Sequence, residues 1–185
     1  MKTKNITLKW LEDHNACSDG VEWFKAQSKK NEVDIINDLI KDDELDWANW
    51  TVARRLPSKD RIRYAIYAAG QVLALYENKH PSDNRPRLAI RAARAYLKNP
   101  STTNKNAAAN AAYAAYAATD AADAAYAAYA AYAAADAAYA ATHAAYATAD
   151  AAADAADAAT HAAYAAADAA MKIKILKYGI KLLKK

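Results

Sequence analysis

The side chains most able to do chemistry are arginines and aromatics in the first half of the chain. Trp47, Trp50, Arg54 and Arg55 lie around one helix junction, with Arg61, Arg63, Tyr64 and Tyr67 just beyond it. Arg85, Arg87, Arg91 and Arg94 lie around another. An arginine fork holds a carboxylate or phosphate through two parallel hydrogen bonds, and an aromatic face stacks on a base or on a guanidinium. This set can therefore hold an anionic nucleotide or recognise a protein surface. The same arginines can also form structural ion pairs with Asp42, Asp43, Glu44, Asp46, Asp83 and the aspartates of the second half, because salt bridges between neighbouring helices use the same groups.

Other spacings carry weaker chemistry. Cys17 lies three residues after His14, and on one helix that step would let an imidazole activate a thiol. Asp157 and His161 are four apart, as two metal ligands on one helix face would be, and Asp136 and His143 repeat the arrangement at seven. In a segment built from so few residue types, such pairs also arise from composition. The sequence has no P-loop, GxGxxG, HExxH, GxSxG or paired-cysteine spacing. We therefore expect a non-enzymatic protein, with no cofactor and no bound metal.

The elements that position these residues are helices. Three Gly and four Pro among 185 residues cannot supply the turns of a sandwich or barrel. Helical spacing predicts helices from about Asp19 to Lys30, along Val33, Ile36, Leu39 and Ile40, from Leu45 to Leu56, from Ser58 past Tyr76, and from Arg87 to Leu97. Gly70 suits a close helix crossing. One cysteine excludes an internal disulfide and suggests a reducing compartment. The opening MKTKNITLKW has no apolar run of signal-peptide length, and no stretch is apolar enough to span a bilayer. A soluble cytoplasmic protein is the expectation.

Residues 107–170 hold 42 Ala, 8 Tyr and 7 Asp with no Lys or Arg, so this segment carries −7 within a chain of net charge +4. The rest carries +11, of which +6 belongs to the tail from Met171. Tyr, Asp and His recur in residues 107–170 at steps of three and four, a helical period. With no Gly or Pro to break the array, new helices are expected to start where Thr adjoins Asp or His, at Thr119, Thr142, Thr148 and Thr160. The predicted architecture is an all-α bundle of stacked helical hairpins: residues 1–99 amphipathic helices, 100–106 a polar linker or turn, 107–170 the Ala-rich array, and 171–185 a basic amphipathic helix closing it. The Tyr stripe is expected in the core. The Ala faces could readily self-associate into a homo-oligomer, while the seven Asp would repel an extended nucleic acid.

Several motifs carry a resemblance. Ala16-Cys17-Ser18-Asp19-Gly20 followed by Trp23-Phe24, then Asp46-Trp47 with Trp50, then Asp83-Asn84-Arg85-Pro86-Arg87 with Ala89-Ile90 and Ala92-Ala93-Arg94, then the AAYAAYAA array, resemble the helical immunity-protein group (Imm-five-like) of bacteria and their phages. The likeness spans Ala16 to about Ala147, and the Lys-rich tail departs from it. It implies an all-α, non-enzymatic protein that protects against a toxin or a defence system. The expected mode is stoichiometric binding of a protein toxin or defence-system component through Trp47, Trp50, Arg54, Arg55, Arg85 and Arg87. The alternative is sequestration of a small nucleotide signal by the arginines and aromatics, with Arg91 and Arg94 contributing.

Overall fold

The computed structural model describes residues 4–119, 157–158, 161 and 169–185. The expected helix breaks beyond Thr119 and the pair Asp136–His143 lie outside these residues. Among the described residues the protein is all-α: α1 Leu8–Asp13, α2 Ser18–Ala26, α3 Glu32–Lys41, α4 Leu45–Arg55, α5 Ser58–Lys79, α6 Arg85–Lys98, α7 Thr102–Thr119 and α8 Ala169–Leu183. None of these helices is long and apolar enough to cross a membrane.

Helices α3 to α6 follow from apolar spacing and recognisable ends. Asn31 caps α3, its side chain accepting from the Val33 N–H at 3.0 Å. Pro57 and Pro86 stand at the starts of α5 and α6, where a missing N–H costs nothing. Helix α2 ends four residues earlier than expected: Gln27 is extended, and Lys30 folds back over the Phe24 ring with its Nζ donating to the Phe24 carbonyl oxygen. The chain then forms a single antiparallel bridge between Asn31 and Asn5, which fastens the N-terminal segment to the start of α3.

Two turns place α2 and α4. After α1 the chain reverses at Asn15, whose φ of 55° is left-handed, and the Ala16 N–H donates back to the Leu11 carbonyl at 2.9 Å. After α3 the same construction recurs at Asp43, with φ of 62° and the Glu44 N–H bonded to the Leu39 carbonyl at 2.8 Å. Asn and Asp tolerate this region better than other side chains. Asn15→Ala is expected to cost about 1 kcal/mol, from the left-handed penalty on a Cβ lacking a local hydrogen bond, read as a lowered denaturant midpoint.

The core runs through Ile36, Val52, Leu56, Ile62, Tyr64, Ala68 and Val72, and α8 completes it. Ile175, Leu176, Ile180, Leu182 and Leu183 of α8 are buried, while Lys174, Lys177 and Lys181 stay exposed. Among the described residues α8 packs on α3, α4 and α5; most of the Ala-rich array that the tail is expected to close lies outside them. The close crossing is at Gly179, where an added Cβ would collide with Val52 and lie 3.0 Å from the Tyr64 ring. Gly70, the glycine expected to serve this purpose, is exposed, and among the described residues a Cβ added there would meet the tip of Arg94 at 4.0 Å. Buried Tyr64 donates its hydroxyl to Asn49 Oδ1 at 2.8 Å, so the one polar atom of that ring is satisfied.

The turn between α6 and α7 is only Asn99, Pro100 and Ser101, because Ser101 accepts from the Asn104 N–H and α7 starts inside the stretch expected as a linker. Ala108, Ala112 and Ala115 of α7 are buried at four- and three-residue steps, and α7 lies along α6. Small side chains permit that close approach. Tyr113, an early member of the Tyr stripe, is 66% exposed, contrary to a core role, because it lies off the buried alanine face.

Candidate functional site

The residues expected to bind divide between two places. Trp47, Trp50, Arg54 and Arg55 share α4, whereas Arg85, Arg87, Arg91 and Arg94 lie on α6, which packs on α5 and α7.

On α6 the first two arginines are held by carboxylates of the same chain. Arg85 Nη2 is 2.6 Å from Asp83 Oδ2, and Arg87 forms a double bond pair with Glu77, its Nε 2.6 Å from Oε1. Arg91 and Arg94 are exposed. Asp83 also accepts from the Tyr76 hydroxyl at 2.6 Å. The Arg85 guanidinium holds the Asp83 carboxyl well below the usual carboxylate range, and burial with the Asp83 bond pushes the Tyr76 hydroxyl up to about 12. The signs fix two pH windows. A depressed carboxylate contributes stability above its ordinary value and loses it as pH falls below about 4; a raised phenol contributes below about 10 and loses it above. Native protein is expected to lose stability at both ends, and Asp83→Asn to flatten both limbs in chemical melts taken from pH 2 to 11.

On α4 the surroundings are different. Trp47 and Trp50 line a cavity of about 330 Å³ between the α1–α2 hairpin and the face of α3 and α4. Its wall is apolar: Ile6, Leu11, Phe24, Ile35 and Leu39 stand behind three half-buried indoles, Trp23, Trp47 and Trp50. Each ring is held. Trp23 Nε1 donates to Asp42 Oδ2 at 3.0 Å, Trp47 lies where a Cβ added at Gly20 would meet its ring at 3.9 Å, and Trp50 meets Trp10 edge-on with centroids 5.5 Å apart. A cavity of this size, lined by oriented aromatics and open at one rim, suits an apolar group of a ligand or partner.

Arg54 and Arg55, expected as binding residues, do not line this cavity and each packs on an indole. Arg54 lies over the Trp50 ring at 4.4 Å, a cation–π arrangement. Burial pushes its pKa down, against the opposing pull of Asp157 and together with the repulsion of Arg61. The nearness of Asp157 is one instance of the expected attraction between the acidic array and the basic first half. Arg55 stands over Trp10 at 5.1 Å, and its Nε donates to Glu32 Oε2 at 2.5 Å.

The thiol pairing that the His14–Cys17 spacing would allow does not form. His14 closes α1, its Nδ1 bonded to the Trp10 carbonyl at 2.7 Å and its ring 4.4 Å from that of Trp10, whereas Cys17 opens α2 across the Asn15 turn. Cys17 is exposed at the cavity rim. Among the described residues no three His, Cys, Asp or Glu side chains gather as a metal site.

Sequence reasoning missed α1 and with it the cavity. Six residues give too little periodicity to read, although Thr7 followed by Leu8, Trp10 and Leu11 is a capping signal: the Thr7 hydroxyl accepts from the Trp10 N–H at 3.1 Å. The motifs from Ala16 to Trp50 converge here, since Ala16, Cys17, Gly20, Trp23, Phe24, Asp46, Trp47 and Trp50 all line the cavity. No protein-family profile, curated protein or solved structure matches this chain.

Proposed function

We propose that the protein is a non-enzymatic immunity or counter-defence protein that binds a toxin or defence component stoichiometrically. The α1–α4 cavity would take an apolar side chain of the partner. The observation that carries this reading is the convergence of the resemblance motifs from Ala16 to Trp50 on one aromatic-lined cavity. Interfaces concentrate their energy in a few such pockets near their centre, where Trp, Tyr and Arg side chains predominate. Trp23, Trp47 and Trp50 supply the aromatic anchors, and Arg54 lies over the Trp50 ring. The cavity wall is mostly carbon, which favours a protein anchor over a nucleotide there, and Arg85 and Arg87 are engaged by Asp83 and Glu77.

The test is capture on the full chain from infected or toxin-expressing cells, with the bound fraction analysed for proteins and, after heat release, for nucleotides. A one-to-one protein partner supports the reading. A released nucleotide without a protein replaces it with signal sequestration.

A further inference from the structure

A second cavity, of about 250 Å³, lies where the α4–α5 turn meets the end of α8, and its chemistry is the reverse of the first. Lys4, Arg55, Arg61 and Lys185 line it together with Glu32 and Asp60. These residues come from the N-terminal segment, α3, α4, α5 and the end of the chain beyond α8, so the fold, not one run of sequence, assembles the charge.

The carboxylates are committed. Glu32 Oε1 accepts from the Lys4 backbone N–H at 3.0 Å and Oε2 from Arg55 Nε at 2.5 Å; Asp60 Oδ1 accepts from Arg63 Nη1 at 2.6 Å. The arginines are not fully satisfied by them. Arg55 has a side chain only 10% exposed, and among the described residues its buried Nη2 has no hydrogen-bond partner. A buried donor left without an acceptor is costly, and its persistence calls for an explanation. Arg61 is anchored by Nε to the Ala53 carbonyl at 3.1 Å, and burial pushes its pKa down, as for a guanidinium drawn from water without a full counter-charge.

We infer that this cavity is an anion site for a phosphate-bearing small molecule, with Arg55 and Arg61 as the forks and Lys4 as a point charge at its edge. Arginine forks match the oxygens of a phosphate, and a dianion answers several cations better than a carboxylate does. At about 30 Å³ per water, the cavity holds roughly eight waters' worth of volume. That admits a phosphate group with a modest organic body. The site is separate from the Trp-lined cavity, and it stands or falls independently of the partner proposed above.

The experiment is calorimetric titration of the full chain with inorganic phosphate and with a nucleoside 5′-monophosphate, at pH 7.5 and matched ionic strength in chloride. Saturable one-to-one binding is expected, weakened at least tenfold by Arg61→Gln and by Lys4→Gln and unchanged by Lys98→Gln, which removes the same charge from an exposed position on α6. A monophosphate that binds more tightly than phosphate identifies a nucleotide-like body; equal affinities identify the phosphate group alone, and both uphold the site. No saturable binding of either probe overturns it. Equal weakening by Lys98→Gln and Arg61→Gln also overturns it, as diffuse charge attraction. Because Arg55 variants test folding as well, they are not used.

Discussion

Glu32→Ala is expected to lower folding stability by about 3–5 kcal/mol, the range for removing one member of a buried ion pair. Glu32 and Arg55 have side chains 6% and 10% exposed and meet at 2.5 Å. Deleting the carboxylate removes the acceptor that Arg55 Nε bonds and leaves a buried, uncompensated guanidinium over the Trp10 face. The same carboxylate also holds the Lys4 N–H, next to the Asn5–Asn31 bridge and the bond from the Ile6 N–H to the Lys30 carbonyl at 2.7 Å. That pairing keeps Ile6 in the wall of the Trp-lined cavity. For a chain of this size the loss corresponds to roughly 6–20 °C in melting temperature. The double variant Glu32→Leu/Arg55→Met, which leaves no orphaned charge, is expected to recover most of the loss. A single variant that melts within 2 °C of the native protein would contradict the account, as would a double variant no more stable than the single one.

Trp47→Ala is expected to weaken partner binding by roughly 30- to 1,000-fold, the range of a truncated aromatic hot spot worth about 2–4 kcal/mol. Truncating a half-buried indole also loosens the fold, so a second variant separates the effects. Gly20 is helical, and a Cβ there would lie 3.2 Å from the Cys17 sulfur and 3.9 Å from the Trp47 ring. The exposed Cys17 side chain can rotate away. Gly20→Leu therefore fills the cavity without straining the backbone and gains helix propensity of about 1 kcal/mol. It is expected to abolish binding while leaving the melting temperature equal or higher. Full affinity in Gly20→Leu would mean that the partner docks elsewhere.

Legibility in the sequence followed length and locality. Helices α3, α4, α5 and α6 were readable because ten or more residues repeat a helical period between Asn, Pro and Gly-free boundaries. α1 was not, at six residues. The close crossing fell at a different glycine for a tertiary reason: Gly70 sits amid apolar spacing yet is exposed, whereas Gly179, in the Lys-rich tail, is pressed against Val52 and Tyr64. The arginines could be found as binding types, but their partners depend on which helices meet. Asp83 was named as an ion-pair partner, and Glu77, ten residues before Arg87, was not; the Arg55–Glu32 pair, 23 residues apart, needed α3 against α4. Trp47 and Trp50 were visible as a pair, and Trp23 was visible only as part of a motif. Their convergence required the left-handed turns at Asn15 and Asp43, which side-chain patterns announce weakly.

The central claim, that the partner is received at the α1–α4 cavity, is tested most directly by the alkylation rate of Cys17. It is the single cysteine in the chain, exposed at that cavity's rim, so one thiol reports one place. The rate with iodoacetamide is measured on the free protein and on the complex with its captured partner. At least tenfold protection in the complex, relieved when the partner is competed off, is the predicted result. A Cys17 that reacts at the same rate with the partner fully bound would contradict it.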